Sequence, residues 1–218
     1  MHYTINERLI KSENAALSYQ QTNSIVLKYI DALQNDIDIL DYGCGKCRYS
    51  RQLDNKSKSI VLLDSEIQIN RRQMICGTMT TVKSFASTFL HNSTVFSIEE
   101  LNQLNMKFDF ILCTNVLSAI PFTSNRIDVL KNINAFLKEN GTALITVQYR
   151  NSYFNTYSEK RDAFRYNDGW IISRGHDYAF YGIIQPQTLY DYCENAYLEI
   201  KEKHLNDGTV YLVVKKMI

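Results

Sequence analysis

Ile39-Leu40-Asp41-Tyr42-Gly43-Cys44-Gly45 is the stretch on which the reading of this chain turns. Apolar residues run into a carboxylate and then into two glycines, with Arg48 and Leu53 following at helical spacing. That order describes a buried strand, a tight turn whose backbone comes close to a ligand, and a helix start. The ligand best suited to such a turn is an adenosine-containing cofactor.

Outward from this stretch, the chain alternates strands and helices. Ser59–Asp64 is a second continuous apolar run ending in a carboxylate, the pattern of a strand buried on both faces. Thr94–Ile98 and Phe108–Cys113 predict two more strands, and Thr142–Val147 a fifth. Val26, Tyr29, Ile30 and Leu33 lie on one helical face behind Thr22 or Asn23 as N-cap. Lys46–Leu53, the segment with Val82, Phe85, Ala86 and Phe89, and Pro186–Glu194 predict further helices. Ser124–Lys138 is also helical, with Gly141 as its C′ residue. Two strand-like runs close the chain around Asn206-Asp207-Gly208, a strong hairpin signal. The expected fold is α/β, a three-layer sandwich on a mostly parallel seven-stranded sheet with a C-terminal antiparallel hairpin. Residues 1–218 are expected to form a single domain. Residues 1–36 would be an N-terminal helical cap, and the loop-rich 148–184 an aromatic-rich, lid-like insertion.

Composition narrows the function. The chain has 218 residues, 45% of them hydrophobic, and a formal net charge of +1, so there is no global attraction to nucleic acid or anionic lipid. No apolar run reaches membrane-spanning length and the N-terminus lacks a secretory h-region, so a cytoplasmic protein without membrane contact is expected. The five cysteines lack a disulfide framework. Cys44 and Cys47 form a C-x-x-C, but no second pair completes a tetrahedral zinc site, so free thiols and no metal are expected.

In an open α/β sheet ligands lie at the carboxyl ends of the strands. There, Asp64 can accept hydrogen bonds from both ribose hydroxyls of an adenosine over the glycine turn. The dinucleotide fingerprint would require a third glycine where Arg48 stands, which counts against NAD or FAD.

These elements together resemble the class I S-adenosylmethionine-dependent methyltransferases. The match rests on Leu40-Asp41-Tyr42-Gly43-Cys44-Gly45, on Asp64, and on Phe108-Asp109-Phe110-Ile111-Leu112-Cys113 leading into Asn115-Val116-Leu117. It is completed by Leu137-Lys138-Glu139-Asn140-Gly141 and the terminal hairpin. The resemblance implies S-adenosyl-L-methionine as cofactor. Gly43 and Gly45, with Asp41 nearby, would approach the methionine moiety. Asp64 and the neighbouring Ser65 would serve the ribose, Ile98 would flank the adenine, and Cys113 and Thr114 would lie beside the sulfonium.

Methyl transfer by in-line displacement needs mostly positioning, because the sulfonium is already activated. Candidate acceptor-side residues are Asn115, Tyr149, Arg150 and His176, the last as a base. Over them the segment 149–181 carries ten aromatics, among them Tyr153, Phe154, Tyr157, Trp170 and Phe180, interleaved with arginines. Asn115-Val116-Leu117-Ser118 stands where amino-methylating DNA enzymes have [DNS]-P-P-[YFW], which sets this chain apart from them. A small molecule or exposed polar group is the expected acceptor. RNA or another nucleic acid is the alternative, and a non-catalytic SAM-binding regulatory protein the third reading. Oligomeric state is left open.

Overall fold

In the computed structural model, which describes residues 2–16, 19–150 and 156–217, the first strand is Ile37–Tyr42 (β3, counting two short strands that precede it). Its residues pair in parallel with Ser57–Asp64 (β4) on one side, Leu40 facing Val61, and with Phe108–Thr114 (β8) on the other, Leu40 facing Ile111. Ile39, Leu40, Ile60, Val61, Leu62 and Leu63 are all buried, which is why these runs read as continuously apolar. Ser93–Ser97 (β7) adds to β4, also in parallel. Further on are Leu137–Gln148 (β9), Leu198–Asn206 (β13) and Thr209–Lys216 (β14), with β14 antiparallel to both of the others. The seven-stranded sheet has the order β13-β14-β9-β8-β3-β4-β7. The α/β class, the mostly parallel sheet and the terminal hairpin expected from the sequence are all present.

By packing, the chain divides into two compact units, Ala16–Leu112 and Met1–Ala15 with Cys113–Ile218. In the first unit, helix α1 (Ser24–Asp31) is capped by Asn23, whose side-chain oxygen accepts from the Ile25 and Val26 amides at 2.9 and 3.3 Å. The helix after the glycine turn is shorter than predicted. Residues 46–49 form turns, Cys47 taking φ +53°, and α2 spans only Ser50–Asp54. Then come α3 (Glu66–Asn70), a small hairpin of β5 (Gln73–Ile75) and β6 (Thr78–Thr80), and α4 (Val82–Phe89). Val82, Phe85 and Ala86 bury the face of α4 that their spacing predicts. Asp109 is structural: its carboxylate accepts the Asp38 amide at 2.9 Å, fastening β8 to β3.

In the second unit, α5 covers Thr123–Phe136 and α6 Pro186–Asn195, with proline in the first helical turn. Gly141 does not cap α5: the helix ends at Phe136, Leu137 is already extended, and Gly141 lies inside β9. The expected helical cap over 1–36 is corrected at its start. His2–Ile5 (β1) and Arg8–Lys11 (β2) form a hairpin, and the Tyr3 and Ile5 side chains alternate inward. Nor is 148–184 loop-rich. Ala163–Tyr166 (β10), Gly169–Arg174 (β11) and Asp177–Gly182 (β12) form an antiparallel meander, and β2 joins β12 to make a second sheet, β1-β2-β12-β11-β10. Lys11 and Asp177 close that junction at 2.7 Å. Tyr153 and Phe154 lie outside the described residues. Among the described residues no helix is long and apolar enough to cross a membrane.

Candidate active site

In the unit Ala16–Leu112, the glycine turn is held by the end of the neighbouring strand. The Gly43 and Cys44 amides donate to the Leu63 carbonyl at 2.7 and 3.1 Å, and the Gly45 amide donates to Asp64 Oδ2 at 2.8 Å. Gly43 and Gly45 have φ +75° and +56°, in the left-handed region that favours glycine. Asp64 Oδ1 accepts the Ser65 amide, also at 2.8 Å. A carboxylate offers about four lone-pair positions. These two bonds therefore leave each Asp64 oxygen able to accept one more hydrogen bond, which fits a pair of ribose hydroxyls. Burial raises the Asp64 carboxyl above its usual range, opposed by the bonds from Gly45 and Ser65.

Asp41 faces inward from β3 and takes the Ser50 hydroxyl at 2.8 Å, tying the start of α2 to the strand. Its carboxyl is pushed up to about 7, first by burial and further by the Asp64 charge, against the Ser50 hydrogen bond and nearby Arg48. Arg48, in the place of a third glycine, is buried, donates to the Gln21 carbonyl at 3.2 Å and stacks 4.6 Å from the Tyr49 ring centroid. Ser65 caps α3 by accepting the Gln68 amide at 3.3 Å. Ile98, half-buried, begins the 3₁₀ turn Ile98–Gln103. Cys44 and Cys47 are free thiols, as expected. The Cys44 thiol is pushed well above its ordinary range by its hydrogen bond with Cys47 and by burial, so it is no nucleophile at neutral pH.

In the unit with Cys113–Ile218, Cys113 is wholly buried, while Thr114 and Asn115 at the strand's end are half-buried. Asn115 has φ +59° and donates its amide to the Thr146 carbonyl of β9 at 2.9 Å. Tyr149 and Arg150 are fixed through their backbones, both amides donating to the Gly208 carbonyl, at 2.8 and 3.1 Å. Gly208 belongs to the terminal hairpin turn with Asp207, φ +73° and +44°. His176 is not brought to these residues by any described contact. It is exposed in the two-residue turn between β11 and β12.

Residues 15–203 match the family model described as a methyltransferase domain. The chain belongs to that family. It is 31% identical over 214 residues to the uncharacterized protein YmfD of Escherichia coli strain K12, covering 98% of this chain and 96% of that one. It is 26% identical over 168 residues to a ubiquinone biosynthesis O-methyltransferase of Rickettsia bellii strain OSU 85-389, covering 77% of this chain and 64% of that protein. The fold is similar to that of an S-adenosylmethionine-dependent methyltransferase from Clostridium acetobutylicum ATCC 824. There the TM-score is 0.62 at 16% identity, over 94% of both chains. The protein is a methyltransferase of that family.

Several groups around the methyltransferase's glycine turn escape sequence reasoning. The Gln68 side-chain amide donates to the Gly45 carbonyl, and at 3.2 Å to Gln73, from a wholly buried position. Its signal was a polar residue between two apolar ones in Ile67-Gln68-Ile69. Ser50, the partner of Asp41, carried no signal of its own, and in the other unit neither did Ser118, three residues beyond Asn115.

Proposed function

We propose that this methyltransferase transfers a methyl group to a small molecule or an exposed polar group. In that reading Asp41, Gly43, Gly45, Asp64, Ser65 and Ile98 hold S-adenosyl-L-methionine. The observation that carries it is the Gly45–Asp64 bond. It draws the turn onto the carboxylate while leaving acceptor capacity on both oxygens for two hydroxyls. When bound, the cofactor supplies a methyl group already activated on a sulfonium. The chain's own contribution is placement: Asp64 accepts the ribose, the glycine backbone admits a close neighbour, and Asn115, Tyr149 and Arg150 orient the acceptor. Similarity to a ubiquinone biosynthesis O-methyltransferase supports an oxygen acceptor. Five free cysteines fit a reducing, cytoplasmic setting.

Calorimetric titration with S-adenosylhomocysteine tests the donor site, and transfer of labelled methyl into fractionated cell extract tests the activity. Absence of both from folded protein overturns the reading. Labelled methyl in RNA fractions, with RNA binding that weakens steeply with salt, would favour a nucleic-acid acceptor instead. The exposed Arg165 and Arg174, stacked 5.7 and 5.6 Å from the Trp170 and Tyr181 ring centroids, are the observation that favours that second reading.

A further inference from the structure

Among the described residues, two buried side-chain oxygens just beyond β8 have no hydrogen-bond partner: Asn115 Oδ1 and Ser118 Oγ. Buried polar atoms are nearly always paired, so an exception asks for an explanation, and a donor brought by a ligand is one. We infer that the methyl acceptor brings a neutral O–H or N–H donor to Asn115 Oδ1, with Ser118 Oγ as a second contact. This rests on the methyltransferase reading above and goes further by naming the acceptor's chemistry.

The two atoms sit on backbone that is fixed on each side. Asn115 leaves the strand in the left-handed region, at φ +59°, a conformation Asn accepts more readily than most residues. Its amide is held by the Thr146 carbonyl at 2.9 Å. Ser118 lies in the 3₁₀ turn Leu117–Ala119, closed by the Ala119 amide on the Val116 carbonyl at 3.0 Å and the Ile120 amide on the Leu117 carbonyl at 3.2 Å. On its other side the turn meets Gly182 of β12. A side chain there would place its Cβ 3.3 Å from the Ser118 carbonyl and 2.8 Å from Arg126 Nη2.

Neither side chain carries a charge, and Asn115 Oδ1 presents only lone pairs. A carboxylate or phosphate would oppose its own lone pairs to them. A hydroxyl or amine supplies the missing hydrogen, and the Ser118 hydroxyl can accept from the same group or donate back to it. Leaving a buried acceptor unpaired costs enough to separate a donor-bearing ligand from its donor-free analogue by about tenfold to a hundredfold. A hydroxyl or a secondary amine loses its donor hydrogen on methylation, so for those acceptors the same pair favours release of product over substrate.

The experiment uses crystals of the S-adenosylhomocysteine complex, soaked in phenol and in anisole, which match in shape apart from the methyl that replaces the hydroxyl hydrogen. The expected result is a phenol oxygen within about 3.2 Å of Asn115 Oδ1 or Ser118 Oγ, and no anisole there. Asn115→Gly, which keeps the backbone conformation without strain, and Ser118→Ala are each expected to lose the phenol while keeping the native circular dichroism spectrum. Only water or an adventitious additive at the two atoms, phenol elsewhere, or phenol and anisole in equal occupancy overturns the inference. Failure of S-adenosylhomocysteine to bind the wild-type chain would instead count against the donor-site reading, so the two failures are told apart.

Discussion

Replacing Asp41 with Asn should stabilise the folded chain, and by an amount that grows with pH. Asp41 is 4% exposed, and its carboxyl is pushed from 3.8 up to about 7, chiefly by burial. Between those two values the folded state holds a proton that the unfolded state releases. Folding then takes up a proton, and stability is highest near the unfolded value and falls as pH rises, levelling off above the folded one. At ~1.4 kcal/mol per pH unit of separation, Asp41 costs about 1.5 kcal/mol at pH 5, through the proton the folded state takes up, and about 4 kcal/mol at pH 8. Asn keeps an oxygen for the Ser50 hydroxyl, which Asp41 accepts at 2.8 Å, but has no proton to lose. Urea unfolding of both proteins from pH 5 to 8 should show the gap in favour of Asp41→Asn widening by roughly 2–3 kcal/mol. Titrating groups other than Asp41 and the neighbours coupled to it by charge, Asp64, Arg48 and Cys44, are common to the two and cancel. Parallel curves, or a wild type that is the more stable at pH 8, would refute the assignment of a charge-averse pocket behind the glycine turn.

Asp64→Ala removes a charged acceptor worth ~1.5–3 kcal/mol and should weaken S-adenosylhomocysteine binding roughly ten- to a hundredfold in calorimetry, with the fold intact. Asp168→Ala strips the partner from Arg126, which is 1% exposed and held at 2.5 and 2.8 Å by the two Asp168 oxygens. A loss of about 3 kcal/mol in chemical denaturation is expected, largely recovered when Arg126→Met is added. Gly208→Ala would set a Cβ 1.7 Å from the Arg150 carbonyl oxygen at φ +73°. It should cost more than about 2 kcal/mol of stability and lower methyl-transfer activity through the Tyr149–Arg150 backbone, read by thermal unfolding and turnover.

The parallel core was legible because its signal is local. Ile60-Val61-Leu62-Leu63 is a continuous apolar run, and Phe108–Leu112 is apolar apart from Asp109. A strand buried on both faces has no other way to read, whatever its neighbours turn out to be. The glycine turn and Asp64 were legible for a related reason: a turn that needs positive φ and a carboxylate at a strand end have few substitutes. The added sheet was not legible. Its strands are four to six residues long, and β1 and β2 are separated from β12 by most of the chain, so a period-2 pattern such as that of His2–Ile5 is too short to stand out. His176 looked usable as a base by sequence position alone, but a hairpin turn leaves it in solvent.

By itself, then, the sequence determined the seven-stranded α/β sheet, the nucleotide-type glycine turn and the carboxylate one strand later, because hydrophobic runs and φ > 0 positions are properties of short segments. Tertiary structure alone decided the rest. It joined the N-terminal hairpin to β12, buried Gln68 against the glycine turn, and left Asn115 Oδ1 and Ser118 Oγ without partners. Each of these depends on which distant groups supply or withhold a hydrogen bond, and no stretch of sequence records that.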